Sequence, residues 1–424
     1  MADIRPFRGL RYNPDKVNIR TVVAPPYDVI SPGYQEELYH LNPYNVVRLI
    51  LGREQDRYKE ASTCFTTWQQ EGILKRDLRR ALYVISQSFN HPGGATRQRY
   101  GFVAACRLEE FSSGVILPHE HTLSKPKEDR FRLMRATNAN FSQVFGLYAD
   151  PERTIDRILN DTMNAQPLQE VMFEKVINRM WVVEDQAAIE TIARAMKPKS
   201  ILIADGHHRY ETALTYRDMM RLKTPGYFGE EPFDFVMMFL SSMDEEGLVI
   251  LPTHRIVHSL PSFDAADLQM RLAKDFTITT VGSAGELSRT LEAHTRHAFG
   301  VVTTGSQYVI ALKSEHLLAS LTDPAVPLEV KEIDVTLLHS HVIGGLLGIS
   351  PRAQELKQNL DYVKDLEEAF LAVRKQKAQV AFILNPTKME QLKNVVRAGH
   401  TMPQKSTYFY PKLLSGLVMN VLEV

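Results

Sequence analysis

Cysteine is scarce in this chain. Only Cys64 and Cys106 occur in 424 residues. They form no CxxC pair and have no histidine beside them, which excludes a disulfide scaffold. Both read as buried thiols of a reducing compartment. An excess of one charge is also missing, because 50 Lys and Arg balance 50 Asp and Glu. That balance argues against a protein built to coat nucleic acid or an anionic membrane. No apolar run approaches the roughly 18 residues of a membrane span. The opening Met1-Ala2-Asp3-Ile4-Arg5-Pro6 lacks the apolar core of a signal peptide. Low-complexity tracts and clear repeats are absent, as are GxGxxG after a strand and GxSxG. The expectation is a soluble, cytoplasmic protein with neither nucleic-acid nor membrane partners.

With 44% hydrophobic residues, the composition is that of a globular chain. The length allows two or three domains of roughly 100–200 residues. The organisation suggests an N-terminal α+β region over 1–150, an α/β core over 151–260 and a C-terminal α+β region over 261–424. Consecutive prolines in Ala24-Pro25-Pro26-Tyr27-Asp28-Val29-Ile30 predict an extended loop. Ser31-Pro32 then fits a helix cap with proline at the first helical position. Residues 56–72 read as a helix. Residues 81–89 and 99–108 read as a hairpin turned by His91-Pro92-Gly93-Gly94, and Asp150-Pro151-Glu152 reads as a helix start. The middle alternates strand 178–184, helix 186–196, strand 200–204, helix 207–222 and strand 234–242, which predicts an α/β layer. A second hairpin is expected at 299–313. Helices are expected at 333–348 and 361–377, a strand at Val380–Leu384, and a capping box from Thr387 and Glu390. Met219, Met220, Met237 and Met238 read as core.

Four segments carry candidate chemistry. In Ile201-Leu202-Ile203-Ala204-Asp205-Gly206-His207-His208-Arg209, an apolar strand runs through a tight glycine turn into a helix. Gly206 lets a ligand approach the backbone. The first helical N–H groups attract anions, and Arg209 can grip a phosphate bidentately. The same residues also suit a plain capped helix with Asp205 as N-cap. Zinc is a poor fit, because adjacent histidines face different sides of a helix. In Leu117-Pro118-His119-Glu120-His121 through Arg130, Glu120 suits a general base or an Mg²⁺ ligand. Lys127 and Arg130 there read as phosphate contacts on a proline-broken loop. In Met402-Pro403-Gln404-Lys405-Ser406-Thr407 through Lys412, Lys405-Ser406-Thr407 lacks the glycine-rich loop of a P-loop. Its two lysines still suit an anion. In the proline-rich loop, Asp28 beside Tyr27 suits a base or a metal contact.

Together these segments resemble the domain-of-unknown-function 1015 family, in order and over nearly the whole chain. The Asp-Gly-His-His-Arg run resembles the ParB/sulfiredoxin-like fold, and within that group the free-serine kinases. The resemblance implies a mixed α/β protein with a ParB/sulfiredoxin-like nucleotide-binding core and added hairpins and helices. It implies a kinase that phosphorylates free L-serine to O-phosphoserine, using ATP or ADP and Mg²⁺. On that analogy Gly206, His207, His208 and Arg209 would cradle phosphates, with Asp205 beside the transferred group as base or metal contact. Lys127, Arg130, Lys405, Ser406 and Lys412 would complete a positive pocket. Glu120 or Asp28 would take the hydroxyl proton or bind the substrate ammonium, and Tyr27, His119 and His121 would contact the amino acid. Partners would be a nucleotide and a free amino acid, with a homodimer as the commonest assembly. A nucleotide-binding regulator without turnover, or a phosphatase using the same pocket, fits the same residues.

Overall fold

A computed structural model of the chain describes residues 1–91, 94–120 and 124–422. Within them the protein is a mixed α/β structure in two compact units. The first comprises Met1–Pro118, Thr122–Val249 and Pro411–Val424, and the second His119–His121 and Ile250–Tyr410. Unit two is thus inserted just before the segment that returns Lys412 to unit one.

Unit one is built on a nine-stranded sheet. Its strands are β1 (Ile4–Arg5), β2 (Leu82–Asn90), β3 (Thr96–Arg107), β4 (Ile116–Leu117), β5 (Val144–Tyr148), β6 (Gln169–Phe173), β7 (Val176–Val183), β8 (Ile201–Asp205) and β9 (Phe235–Ser242). The order is β4-β8-β5-β9-β3-β2-β7-β6, with β1 added beside β3. β8 runs parallel to β4, β9 runs parallel to β5, and the other pairs are antiparallel. β2 and β3 form the expected hairpin, although Pro92 and Gly93 of its turn lie outside the described residues. The apolar runs of β8 and β9 are buried along nearly their whole length, as strands covered on both faces require.

Five helices bear on the argument: α1 (Arg57–Gln70), α2 (Ser124–Thr137), α3 (Thr154–Met163), α4 (Gln186–Met196) and α5 (His207–Lys223). One core cluster joins the sheet to Ile155 and Leu159 of α3, Ile189 and Ile192 of α4, and Tyr210 and Ala213 of α5. A second gathers Phe65 and Trp68 of α1, Leu133 of α2, Phe141 and Met419. Met237 and Met238 are core, but Met219 and Met220 are only partly buried against it. Cys106 is buried, whereas Cys64 is only partly so.

Several local expectations are corrected. The Lys125-Pro126-Lys127 stretch is no loop but the first turn of α2, where proline costs nothing because its N–H would have no helical partner. Helix α3 opens at Thr154, after Arg153 in the left-handed region (φ 52°). Asp150 acts from further back, accepting the Ile155 N–H at 2.9 Å.

Unit two holds a six-stranded antiparallel sheet of β10 (His254–Val257), β11 (Phe276–Thr280), β12 (Ala298–Thr303), β13 (Gln307–Leu312), β14 (Leu360–Val363) and β15 (Val380–Ile383), ordered β11-β13-β12-β15-β10-β14. The expected helix over 361–377 divides. Its first residues pair as β14 with β10, and Asp365 then caps α6 (Leu366–Arg374) through the Glu368 N–H. The expected Thr387 and Glu390 box is not formed. The buried Thr387 hydroxyl donates to the Ser406 carbonyl at 2.7 Å, and Gln391 accepts the Lys388 N–H at 2.9 Å. Among the described residues no helix is long and apolar enough to cross a membrane.

Unit two also contains a buried histidine that makes acid stability testable. His254 is 3% exposed, and its Nδ1 accepts the Leu384 N–H. Burial, helped by the charge of Arg255, depresses its pKa to about 4. The unfolded chain, with histidine near 6.5, therefore binds more protons than the fold between pH 6.5 and 4. Stability supplied by neutral His254 is full above 6.5 and is lost as pH falls, on the order of 3 kcal/mol by pH 4. Glu245 in unit one acts oppositely, because burial pushes its carboxyl up to about 7. The informative measurement is thus a difference. Melting temperature should fall more steeply between pH 6.5 and 4.5 in the wild type than in His254→Asn. Equal slopes would remove His254 from the account.

Candidate active site

The site grows from the end of β8. Its register against β5 shifts between Ile203 and Asp205, and such an irregularity re-aims a side chain at a strand end. Gly206 then takes φ 92° and α5 starts at His207. Asp205 is not the N-cap that its position in sequence suggests. Gly206 occupies that position with no side-chain cap, and its carbonyl accepts the Tyr210 N–H at 3.0 Å. The N–H groups of the first turn therefore have no partner inside the helix. His207 is buried and His208 half-buried.

The Asp205 carboxylate collects cations instead. Arg209, one turn along α5, donates Nη2 to Oδ2 at 2.5 Å and Nη1 to the Gln143 carbonyl. Lys412 Nζ donates to Oδ1. The side chains of Arg209, Asp205 and Lys412 are only 12%, 18% and 13% exposed, so water screens their attraction weakly. A third cation, Arg99 of β3, is fully buried. Burial brings its pKa down to about 9, against the pull of Asp205, which favours the charged form.

Arg99 and Gln87 also fix the returning segment. Arg99 Nη2 donates to the Pro411 carbonyl and to Gln87 Oε1. Gln87 Nε2 donates to the Lys412 carbonyl at 3.0 Å and to Asn178 Oδ1 at 2.9 Å. Further along, Ser415 pairs through its backbone with Ala24 and through its hydroxyl with Ser142. The proline-rich loop, the glycine turn and the C-terminal segment thus meet in unit one.

A cavity of about 50 Å³ opens beside this cluster, lined by Tyr27, Arg130, Asn140, Ser142, Arg209 and Thr212 among others. Tyr27 lies in a short 3₁₀ turn (Tyr27–Val29), with the Arg130 guanidinium 4.0 Å from its ring centroid. Burial raises the Tyr27 phenol to about 12, although Arg130 pulls the other way. Arg130 is itself anchored to the Ile50 carbonyl at 2.6 Å and to Asp129 at 2.8 Å. Lys127, on the same face of α2, pairs with Glu211 at 2.8 Å. Asp28 is exposed beside Tyr27. The cavity has room for waters or one small polar group. A whole nucleotide needs several hundred Å³, so most of such a ligand would lie outside it.

Tyr27, Asp28, Lys127, Arg130, Asp205, Gly206, His207, His208, Arg209 and Lys412 all belong to unit one. The remaining candidates belong to unit two. His119 is 1% exposed, its Nε2 2.8 Å from the Thr407 hydroxyl. Glu120 accepts the Lys405 N–H at 3.4 Å. Lys405 is exposed at φ 59°, and the buried Ser406 hydroxyl donates to the Pro403 carbonyl at 2.6 Å. His121 lies outside the described residues. Sequence reading missed Arg99, Gln87 and Gln143. Nothing local marks them, since each is one polar residue in or beside a strand.

Gly206 gives a direct test. A Cβ there would lie 2.9 Å from three atoms of the Arg209 guanidinium and would need a left-handed backbone. The backbone penalty alone is about 1–2 kcal/mol. Gly206→Ala should therefore lower the melting temperature and move Arg209 off Asp205, seen as faster exchange of the Tyr210 N–H, the first helical bond of α5. Unchanged exchange and stability would show that the turn tolerates a side chain.

A family model described as "Protein of unknown function (DUF1015)" matches residues 4–336, and the chain belongs to that family. No curated protein matches it. Among solved structures it is similar to a conserved hypothetical protein from Pyrococcus furiosus (14% identity, 71% of this chain and 89% of that one, TM-score 0.34). It is also similar to a free serine kinase in complex with AMP (14%, 70% and 84%, 0.35). A third is SbnI with a C-terminal truncation from Staphylococcus aureus (10%, 74% and 85%, 0.37). At these TM-scores the likenesses bear on neither ligand nor activity.

Proposed function

We propose that the protein is a small-molecule kinase that moves the terminal phosphoryl group of ATP or ADP onto the hydroxyl of free L-serine, giving O-phosphoserine. The observation that carries this reading is the joint hold of Arg209 and Lys412 on Asp205, beside the glycine start of α5. Phosphoryl transfer asks a protein mainly for positioning and for positive charge around the equatorial oxygens. Arg209 and Lys412 would exchange part of their hold on Asp205 for phosphate oxygens, and the first N–H groups of α5 would add donors. The serine oxygen forms the new bond to phosphorus as the bond to the nucleotide's bridging oxygen breaks. The hydroxyl proton passes to a carboxylate, for which Asp28 beside Tyr27 is the candidate within unit one. The acceptor choice rests on the resemblance of Asp205-Gly206-His207-His208-Arg209 to the free-serine kinases.

Magnesium fits this site only as a companion of the nucleotide. Among the described residues no group of three or more His, Cys, Asp or Glu side chains is placed to hold a metal ion. Mg²⁺ is commonly held by one carboxylate plus substrate phosphates. Asp205 would be that carboxylate, and the ion would neutralise phosphate charge.

Thermal shift with paired ligands tests the reading. Ligand at a hundredfold excess over Kd adds about 2.7 kcal/mol to apparent stability. The expected result is that ATP or ADP with L-serine raises the melting temperature more than either nucleotide alone. Stabilisation by nucleotide with no added effect of serine would favour a regulatory nucleotide-binding protein.

A further inference from the structure

Unit two buries a cation that the proposed reaction does not use. Arg255 of β10 is 1% exposed, and no carboxylate pairs with it among the described residues. Its hydrogen-bond partners are neutral. Nε donates to His339 Nε2 at 3.0 Å, Nη1 to the Thr253 carbonyl and Nη2 to the Lys405 carbonyl at 3.0 Å. These take three of the five N–H groups that a guanidinium carries. The neighbouring histidines bring no negative charge. His339 accepts from Arg255 at Nε2, so its Nδ1 carries the proton given to Gln354 Oε1 at 2.8 Å. His254 accepts the Leu384 N–H. Buried charges in proteins are ordinarily paired, and this one is held by dipoles alone.

The guanidinium lies directly behind an open groove. Its carbon is 5.3 Å from the Tyr362 ring centroid, and His339 stacks on the same tyrosine at 6.4 Å and 20°. Both rings line a groove of about 300 Å³, together with Pro351, Pro403, Ser340 and Glu355. Glu355 on the rim is paired with Arg352 at 3.3 Å, which offsets its charge. His339 is presented by a nine-residue π-helix, Leu338–Leu346, a rare conformation that is frequent at functional sites. Two rings and two prolines give the groove flat apolar walls. The unpaired cation behind them favours an anion.

We propose that this groove binds a small planar organic carboxylate, its ring against Tyr362 and its charge toward Arg255. The volume suits a one-ring or two-ring molecule, at the lower end of small-ligand sites. The groove belongs to unit two and the Asp205 cluster to unit one, and the proposal stands whether or not the kinase reading holds.

The test is calorimetric titration of the full chain with benzoate and with its neutral isostere benzamide. Benzoate should bind with one-to-one stoichiometry, at least tenfold tighter than benzamide. Arg255→Met should weaken benzoate at least tenfold. Arg255→Met also leaves His339 Nε2 and the Thr253 and Lys405 carbonyls without their donor, which costs stability. Should that variant fail to fold, Ser340→Trp, which fills the groove from an exposed position, should weaken benzoate to the same extent. Arg209→Ala should leave it unchanged. The proposal is overturned by wild-type protein that does not bind benzoate, by equal affinity for benzamide, by undiminished binding in Ser340→Trp, or by loss of binding in Arg209→Ala.

Discussion

Arg209→Ala should remove phosphoryl transfer while the protein stays folded. The side chain spans the two halves of the site, holding Asp205 and the Gln143 carbonyl while lining the Tyr27 cavity. An arginine on the transferring group is worth on the order of 10³-fold or more in rate, so a loss of that size is expected. The fold should survive because Lys412 still compensates Asp205 and the apolar run of β8 is untouched. Arg209→Lys separates charge from geometry. Lysine keeps the charge but loses the planar fork, so it should recover less than a tenth of the wild-type rate. The check is initial rates beside melting curves. A large fall in melting temperature with activity retained would make Arg209 a structural residue.

The second large effect is expected at Asp205. Asp205→Asn leaves Arg209 and Lys412 facing a neutral amide. Breaking a buried ion pair by removing one partner commonly costs several kcal/mol. With side chains 12–18% exposed, roughly 2–4 kcal/mol is expected. Two further results identify the cause as charge. The double variant Asp205→Asn with Lys412→Met should be more stable than the sum of the single losses allows, with coupling of about 0.5–3 kcal/mol. Millimolar phosphate should raise the melting temperature of Asp205→Asn more than that of the wild type, because an anion then occupies the place of the carboxylate. Additive losses together with no response to phosphate would show that Asp205 is not the electrostatic centre.

The strand–turn–helix of β8, Gly206 and α5 was legible because its signals are local. Four apolar residues, an Asp-Gly and a polar helix follow one another directly in the sequence. The alternation around it was legible for the same reason, and helix 186–196 has the expected bounds. Reading failed where a distant partner decides. Residues 360–363 carry helix-compatible side chains but become β14 by pairing with His254–Val257. Thr387 resembles a cap but is bonded to Ser406. Pro126 looks like a breaker until its place in a first turn is known. The site itself was half legible. The motifs named Asp205, Arg209 and Lys412 separately, but not that Lys412 would meet Asp205 across 207 residues. Arg99 bonds to the carbonyl of a residue 312 positions away, and no periodicity in β3 records that.

The central claim is that the Asp205–Arg209 turn is a phosphoryl-transfer site acting on free serine. Phosphorus NMR of the full chain with Mg²⁺, L-serine and either ATP or ADP addresses it most directly. The account predicts an O-phosphoserine signal that grows with time from at least one donor and is absent with Arg209→Ala. No phosphoserine from either donor, or undiminished phosphoserine from Arg209→Ala, would contradict it.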